Sequence, residues 1–545
     1  MPKLNRRQVV LGAGGVALAA AAPPASEGEA TGSICRAIGA VLAAASPARA
    51  FAQAVPAPVT RQAIGAMQPN DPMLALYRLA VQRMKALPAN DPRNWNQVAQ
   101  VHINSCPHSN WFFLPWHRAY LVSFERICRQ ITENDNFALP YWDWTTQPVL
   151  PTAFTDATVG GQPNPLFDNT RQVPPNTPMP ADAVGAPIIT QILAETNFEM
   201  FGSTRPTGQT DTSAGWLRSP GRTTQLEGQP HNGVHATIGG DMGDMPSPLD
   251  PIFWLHHCNV DRTWARWVAQ GRTNTTDPLW ATYPFNGQFV TPQGPNGTTA
   301  YNVGVSDVLD HTALGYTYPD LPSAAQSVAS ETRLPAPRVL TSQAPVGVAR
   351  LRETLSTRLT LPPREAGAAP PSRAGAGGPQ ASGQAGGPGG AGGGALDINA
   401  ILREEAPPPR DSAGAPGPAP GQGPGAGGPP PDLGGTERVF SIIERITAAR
   451  GNGAFVNVFL NSRNPTTNDP RRDPNFVGAF GLFGLQEHTR QHGGVSIQVE
   501  ITQALARLRQ QERSFNGQLD VQLVPAVARG NGLELRIERI SIATL

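Results

Sequence analysis

Apolar side chains follow helical spacing in two stretches of the chain. From His117 onward, Tyr120, Leu121, Phe124, Ile127, Cys128 and Ile131 recur at three- and four-residue intervals. That spacing predicts an amphipathic helix to about Thr132 with His117 on its buried face. Pro115 suits the first turn. Asp250 and Pro251 read as the N-cap and first residue of a second helix through Ile252, Trp254, Leu255, His257, Val260, Asp261, Trp264 and Trp267. His257 falls one turn in, on the apolar stripe. His231 and His235 stand at i and i+4, on one helical face. Toward the C-terminus the period becomes two: Val439–Ile443, Phe455–Leu460, Ser496–Ile501, Leu519–Val524 and Leu533–Ile537 read as strands. One helix-like stretch, Gln503–Glu512, intervenes. The pattern predicts a mainly helical domain, with two histidine-bearing helix pairs in a four-helix bundle, followed by an antiparallel β-sandwich.

Composition separates these two bodies. The chain contains 57 Gly and 57 Pro in 545 residues, and 35 of them lie between Ala366 and Gly435. Such a segment cannot bury enough apolar surface to offset its ordering entropy, so it reads as a disordered linker. Within it, Leu396–Leu402 forms an apolar island suited to a transient helix or a docking peptide. The expected domains are a targeting segment over 1–50, a catalytic-type domain over 51–335, a linker over 336–435 and the sandwich over 436–545. Near-balanced charge, +1 overall from 42 basic and 41 acidic residues, argues against a nucleic-acid binder or a polybasic membrane adaptor. Arg6-Arg7 before an Ala- and Gly-rich run to Ala22 resembles a bacterial twin-arginine export signal, implying a periplasmic or extracellular protein. Cleavage near Ala22 or after Ala50 both fit, and an Ala-rich cytoplasmic N-terminus is the alternative. No segment reads as a stable membrane insertion.

Candidate chemistry concentrates in histidine. Of 10 histidines, seven fall in two windows: His102, His108 and His117, then His231, His235, His256 and His257. One buried histidine reads as a satisfied core residue. Two clusters of three on neighbouring helices point to a binuclear metal pocket, since neutral imidazole suits copper, zinc, iron or nickel. The four cysteines do not make a disulfide framework. With Cys35 in the targeting segment, Cys106, Cys128 and Cys258 leave an odd count that suggests special chemistry for one of them.

The segments NWFFLPWHRAYLVSFE (110–125), LPYWDW (139–144), EGQPHNGVH (227–235), SPLDPIFWLHHCNVDR (247–262) and LGYTY (314–318) resemble those of the type-3 dicopper proteins: tyrosinases, catechol oxidases and molluscan-type hemocyanins. The resemblance implies two copper ions, one held by His102, His108 and His117 and the other by His231, His235 and His257, with His256 outside the coordination sphere. It implies dioxygen as co-substrate and small phenols as substrates, which would be hydroxylated at the ortho position and oxidised to o-quinones. It places a water-holding glutamate at Glu227 and an asparagine that orients that water at Asn232. Cys106-Pro107-His108 fits the spacing of a cysteine–histidine thioether; a free buried thiol is the alternative. Cys128 and Cys258 read as core fillers. Asp261 suits either an outer partner of a ligand histidine or a structural pair with Arg262. The loop 239–246 lies where the family places a residue over the second copper, with Met242, Asp244 and Met245 as candidates. The C-terminal block is similar to the domain that covers the active site in plant polyphenol oxidases and hemocyanins, which implies latency, with the linker as the point of proteolysis. His488 and His492 read as loop residues. A catechol or o-aminophenol oxidase without monophenolase activity and a hemocyanin-like oxygen carrier are the alternatives, and a homo-oligomer stays open.

Overall fold

The computed structural model describes residues 58–207, 214–321, 334, 336–361, 438–450, 453–466, 469–511, 516–529 and 533–545. The targeting segment, the apolar island and the body of the Gly/Pro linker lie outside them.

The helical domain is built on α1 (Pro72–Ala86), α2 (Trp95–Ser105), α3 (Phe113–Thr132), α4 (Asn232–Ile238) and α5 (Ile252–Ala269). Asp71 caps α1 by accepting the Met73 N–H at 2.8 Å, and Asn94 caps α2 through the Asn96 N–H at 2.9 Å. At α5, Asp250 Oδ1 accepts the Ile252 N–H at 3.0 Å, so the helix begins one residue later than the sequence pattern predicts. α3 packs against α1 and α5, with Trp254 stacked on Phe124 and tilted against Tyr120.

α3 is buried far more completely than an amphipathic helix. Arg118, Ser123 and Glu125, which its pattern puts on the polar side, are all sequestered. They are tolerated because each has a partner. Asp261 on α5 is the hub. Its carboxylate lies 2.6 Å from Arg118 Nε, 3.4 Å from Arg61 Nη1, and 2.7 Å from both the Tyr316 and Tyr318 hydroxyls. Burial alone would raise its pKa, yet Arg118 and Arg61 hold it below the ordinary carboxylate range. The network ties the N-terminal Arg61, α3, α5 and the LGYTY segment together, beside a parallel pairing of Val59–Thr60 with Tyr316–Thr317. Asp261 therefore orients neither a histidine nor Arg262. Arg262 instead forms a fork with Asp320 at 3.0 and 2.8 Å.

The second body contains β1 (Arg338–Gln343), β2 (Gly347–Arg350), β3 (Leu355–Thr360), β4 (Val439–Arg450), β5 (Gly453–Leu460), β6 (Phe476–Leu482), α6 (Leu485–His492), β7 (Val495–Glu500), α7 (Thr502–Gln511), β8 (Gln518–Arg529) and β9 (Glu534–Thr544). One antiparallel sheet has the order β7-β4-β9-β1, with β2 also on β9; the other has the order β6-β5-β8-β3. Their inner faces share one core that includes Ile443, Val458, Ile497, Leu523 and Ile540. Residues 338–360, expected to be linker, are three strands of this sandwich, paired with β8 and β9. Local composition does not mark them, because their partners lie over 150 residues further along the chain. His488 and His492, expected in a loop, lie on α6.

The sandwich sits on the histidine-bearing helices. Phe455, Ala479 and Phe483 belong to the hydrophobic cluster of the helical domain rather than to that of the sandwich. β6 approaches α4 so closely that a Cβ on Gly481 would lie 2.4 Å from the Asn232 carbonyl carbon. β7 pairs with the helical domain through Thr223, whose N–H donates to Ser496 O at 2.9 Å and whose carbonyl accepts Gln498 N–H at 3.0 Å. Arg438 bridges Glu195 and Glu500 across the same interface. Among the described residues no helix is long and apolar enough to cross a membrane.

The Asp261 hub predicts that Asp261→Asn, which leaves two buried guanidinium groups facing a neutral amide, destabilises the helical domain by about 3 kcal/mol. Its denaturation midpoint should fall accordingly, and an unchanged midpoint would show that the carboxylate does not hold these elements together.

Candidate metal centre

Each histidine reaches the centre from a different local structure. His102 lies on the last turn of α2, His117 in the first turn and a half of α3, and His257 early in α5. Residues 106–112 cross between α2 and α3 and carry His108 inward; Ser109 there adopts φ 57°. His231 ends a π-turn, Glu227–His231, that contains Pro230, and His235 follows one turn into α4. Pro230 has no N–H to donate, so it favours the wider turn.

All seven imidazoles are buried. The ring centroids of His102, His108 and His117 lie 5.3–5.6 Å apart, those of His231, His235 and His257 4.5–5.6 Å apart, and His117 stacks on His257 at 4.4 Å. Burial pushes every one below its usual pKa, His102 and His235 to about 3, so the rings are neutral.

Backbone carbonyls decide where the single proton of each ring sits. His102 Nδ1 is 2.8 Å from Met245 O, His117 Nδ1 2.8 Å from Phe113 O, and His235 Nδ1 2.6 Å from Met242 O. A carbonyl only accepts, so Nδ1 carries the proton and Nε2 presents a lone pair. His231 Nδ1 is fixed in the same way by Asn232 Oδ1 at 2.8 Å. The Nε2 atoms of His102, His108 and His117 are buried without a partner. His257 Nε2 lies 3.2 Å from His231 Nε2 and 3.4 Å from His235 Nε2. His231 and His235 both direct an Nε2 lone pair at this one nitrogen, which can donate to only one of them, so at least one lone pair is left to meet a cation. The donor set therefore fits two soft-to-borderline metal ions, each among three imidazoles. His256 differs: Trp144 Nε1–H donates to its Nδ1 at 3.0 Å, so that lone pair is already used and Nε2 holds the proton.

The remaining expected residues surround this centre. Glu227 accepts the Ser109 N–H at 2.7 Å and a short hydrogen bond from Ser203. Burial raises its pKa to about 8 despite those two donors. A cavity of about 10 Å³, lined by Glu227, Asn232, His108, Phe483 and His488, has room for one water. Cys106 Sγ is 3.5 Å from His108 Nδ1, and burial pushes the thiol upward. Cys128 and Cys258 are buried and free, within the helical core.

Three contributors escaped sequence reading. The loop 239–246 contributes the Met242 and Met245 carbonyls that accept from His235 and His102. Ser109 and Ser203 hold Glu227. Phe483, between β6 and α6, carries its ring into the centre, with centroids 4.3 Å from His235, 5.0 Å from His108, 5.9 Å from His231 and 6.4 Å from His102. Its only local signal is one aromatic in a glycine-rich turn.

Residues 92–216 and 169–270 match the common central domain of tyrosinase, and residues 432–544 match a domain of unknown function. The tyrosinase HcTyr1 of Hahella sp. (strain CCB-MM4) is 27% identical over 532 residues, covering 87% of this chain and 97% of its own length. The chloroplastic polyphenol oxidase A1 of Vicia faba is 32% identical over 293 residues, 46% of each chain. The structure of latent apple tyrosinase superposes with a TM-score of 0.55 at 20% identity, covering 90% of this chain and 98% of the other, and so shares the two-body fold. The central-domain match, these relatives and the shared fold together establish that the chain belongs to the type-3 copper family of tyrosinases and polyphenol oxidases.

Proposed function

We propose that the protein is a copper-dependent phenol oxidase that hydroxylates monophenols and oxidises o-diphenols to o-quinones. In this reading His102, His108 and His117 hold one copper and His231, His235 and His257 the other. The observation that carries it is the set of inward-facing, unprotonated Nε2 atoms fixed by carbonyls on the opposite ring edge. Bound copper would supply dioxygen binding and electron transfer from the phenol to dioxygen.

The chain's own residues supply positioning and proton handling. The Phe113, Met242 and Met245 carbonyls and the Asn232 side chain fix four of the six ring planes. A free phenol has a pKa of about 10, so hydroxylating it at neutral pH requires a base. Glu227, with a pKa of about 8, exchanges a proton in the neutral range, and the water-sized cavity beside it suits transfer through one water. In this role the Ser109 N–H and Ser203 hydroxyl hold the carboxyl in place.

The same reading makes the C-terminal sandwich a lid. The Phe483 ring lies against His235 and His108, in the space an entering phenol ring needs. Its tether to the same chain keeps it at high effective concentration, so it outcompetes a dilute substrate until the lid is displaced. Export through the twin-arginine segment belongs to the same proposal and rests on the sequence.

Oxygen uptake with a monophenol, a catechol and an o-aminophenol tests the assignment. In the intact chain, Phe483→Ala should raise the catechol rate by about tenfold or more by removing the tethered competitor. A rate equal to that of the native chain would sink the latency reading. Glu227→Gln should lower monophenol turnover by about a hundredfold and catechol turnover by less than about threefold; equal losses would remove Glu227 from the hydroxylation step. Peptide mass spectrometry of the copper-loaded protein should find the Cys106–His108 peptide two hydrogens light, as a thioether requires. An alkylatable Cys106 would show that no link forms.

A further inference from the structure

The two donors that hold the Glu227 carboxyl lead back to one short segment, residues 221–224. At Oε1, the Ser109 N–H donates at 2.7 Å. Ser109 adopts φ 57°, a left-handed conformation that a serine keeps only where its surroundings hold it. Those surroundings are Gly221, whose N–H donates to Ser109 O at 2.6 Å, and Thr223, whose hydroxyl donates to Ser109 Oγ at 2.8 Å. At Oε2, the Ser203 hydroxyl donates a short hydrogen bond, and Ser203 Oγ in turn accepts the Thr224 N–H at 3.4 Å. Ser109, Ser203, Thr223, Thr224 and Glu227 are all buried.

That segment runs between two partners, bridged through Thr223 antiparallel to Ser203 and parallel to Ile497. On the first side, the Thr204 N–H donates to Arg222 O at 3.0 Å and the Arg222 N–H to Thr204 Oγ1 at 2.8 Å. On the second side lies β7 of the sandwich. Thr223 N–H donates to Ser496 O at 2.9 Å, Thr223 O accepts the Gln498 N–H at 3.0 Å, and Arg222 Nε donates to Gln498 Oε1 at 2.6 Å. β7 therefore supplies one of the two edges that fix the holders of Glu227. The sandwich also closes the water-sized cavity beside that carboxyl, contributing Leu482, Phe483, His488, Val495 and Ile497 to its wall.

On the reading of Glu227 as the base for monophenol hydroxylation, we propose that Thr223 is a positioning residue for that carboxyl. The β7 strand paired to Thr223 shares the role, so the docked sandwich helps set the ratio of monophenol to catechol turnover. Hydroxylating a monophenol needs the carboxyl within hydrogen-bond reach, directly or through one water, of the proton it takes, so a loosened carboxyl lowers that rate first. The sandwich then acts on the centre in two opposite ways: Phe483 blocks the entering ring, while β7 keeps the base in place. Opening by loss of the Phe483 ring alone retains hydroxylation. Opening by undocking β7 frees one edge of residues 221–224 and shifts the protein toward catechols.

The test uses the copper-loaded full chain carrying Phe483→Ala, which vacates the slot without altering a partner of residues 221–224. Adding Thr223→Val, which removes the hydroxyl and keeps the branched shape and the backbone pairing, should lower the monophenol-to-catechol turnover ratio by about fivefold, the size of one buried hydrogen bond. Thr223→Ser should restore the ratio to within about twofold. On the sandwich side, Gln498→Pro removes the N–H that Thr223 O accepts; this N–H faces away from β4, so the β7–β4 ladder is kept. It should lower the ratio by at least as much as Thr223→Val. Amide hydrogen exchange at Ser109, which does not depend on turnover, should be about tenfold faster in both variants, with the amides of α5 unchanged. Misfolding of the Gln498→Pro chain would show as faster exchange throughout, and the Thr223→Val and Thr223→Ser pair then decides. With Thr223→Val, a ratio that moves by less than about twofold, a loss common to both substrates, or unchanged Ser109 exchange overturns the proposal. Glu227→Gln in the same background separates the two roles. A ratio it leaves unchanged removes Glu227 as the base and this inference with it; a ratio that falls with Glu227→Gln but not with Thr223→Val overturns this inference alone.

Discussion

The centre depends on how buried imidazoles dispose of their protons. A neutral imidazole has one N–H and one lone pair, and burial makes it costly to leave either unmet. Here carbonyls from the Phe113 turn and the 239–246 loop take the N–H of three rings, and Asn232 takes a fourth. That leaves Nε2 lone pairs unmet in a buried pocket, an arrangement that is unfavourable without metal. The local energetic deficit is therefore the binding capacity of the site. His256 illustrates the same rule with the opposite outcome: Trp144 satisfies its Nδ1 lone pair, which leaves it a packing residue among ligand-like neighbours.

Holding those rings still requires helices that cannot shift, and the Asp261 network meets that need without a hydrogen bond to a histidine side chain. It gathers Arg61, Arg118, Tyr316 and Tyr318 around one buried carboxylate, anchoring α5 to α3 behind the metal pocket. The burial of both faces of α3 follows from the same arrangement. Its apolar face packs against α1 and α5, while its charged residues are absorbed by partners distant in sequence.

The sandwich completes the hydrophobic core of the helical domain as well as covering it. Phe455, Ala479 and Phe483 are continuous with that core, and Gly481 allows β6 to approach α4 closer than any side chain would permit. The Thr223 pairing and the Arg438 bridge add polar contacts between the same two bodies. Under the proposed lid role, displacing the sandwich would expose apolar surface as well as the metal centre, coupling access to a substantial rearrangement.

The sequence by itself determined what is periodic or local. Apolar spacing located α3 and α5, the i, i+4 histidines located α4, and two-residue alternation located most of the sandwich strands. The residue types at those positions pointed to an imidazole metal pocket, and the resemblance of the surrounding motifs named copper. Tertiary structure decided whatever depends on partners far along the chain. Strands 338–360 acquire their identity only by pairing with β8 and β9. Asp261 could be read from sequence as a histidine partner or an Arg262 partner and is neither, because its neighbours come from three other segments of the chain. Phe483 is one aromatic in an unremarkable turn until the sandwich docks and carries it into the pocket. Spacing fixes which face of an element a residue occupies, whereas what that face meets is set by packing between elements.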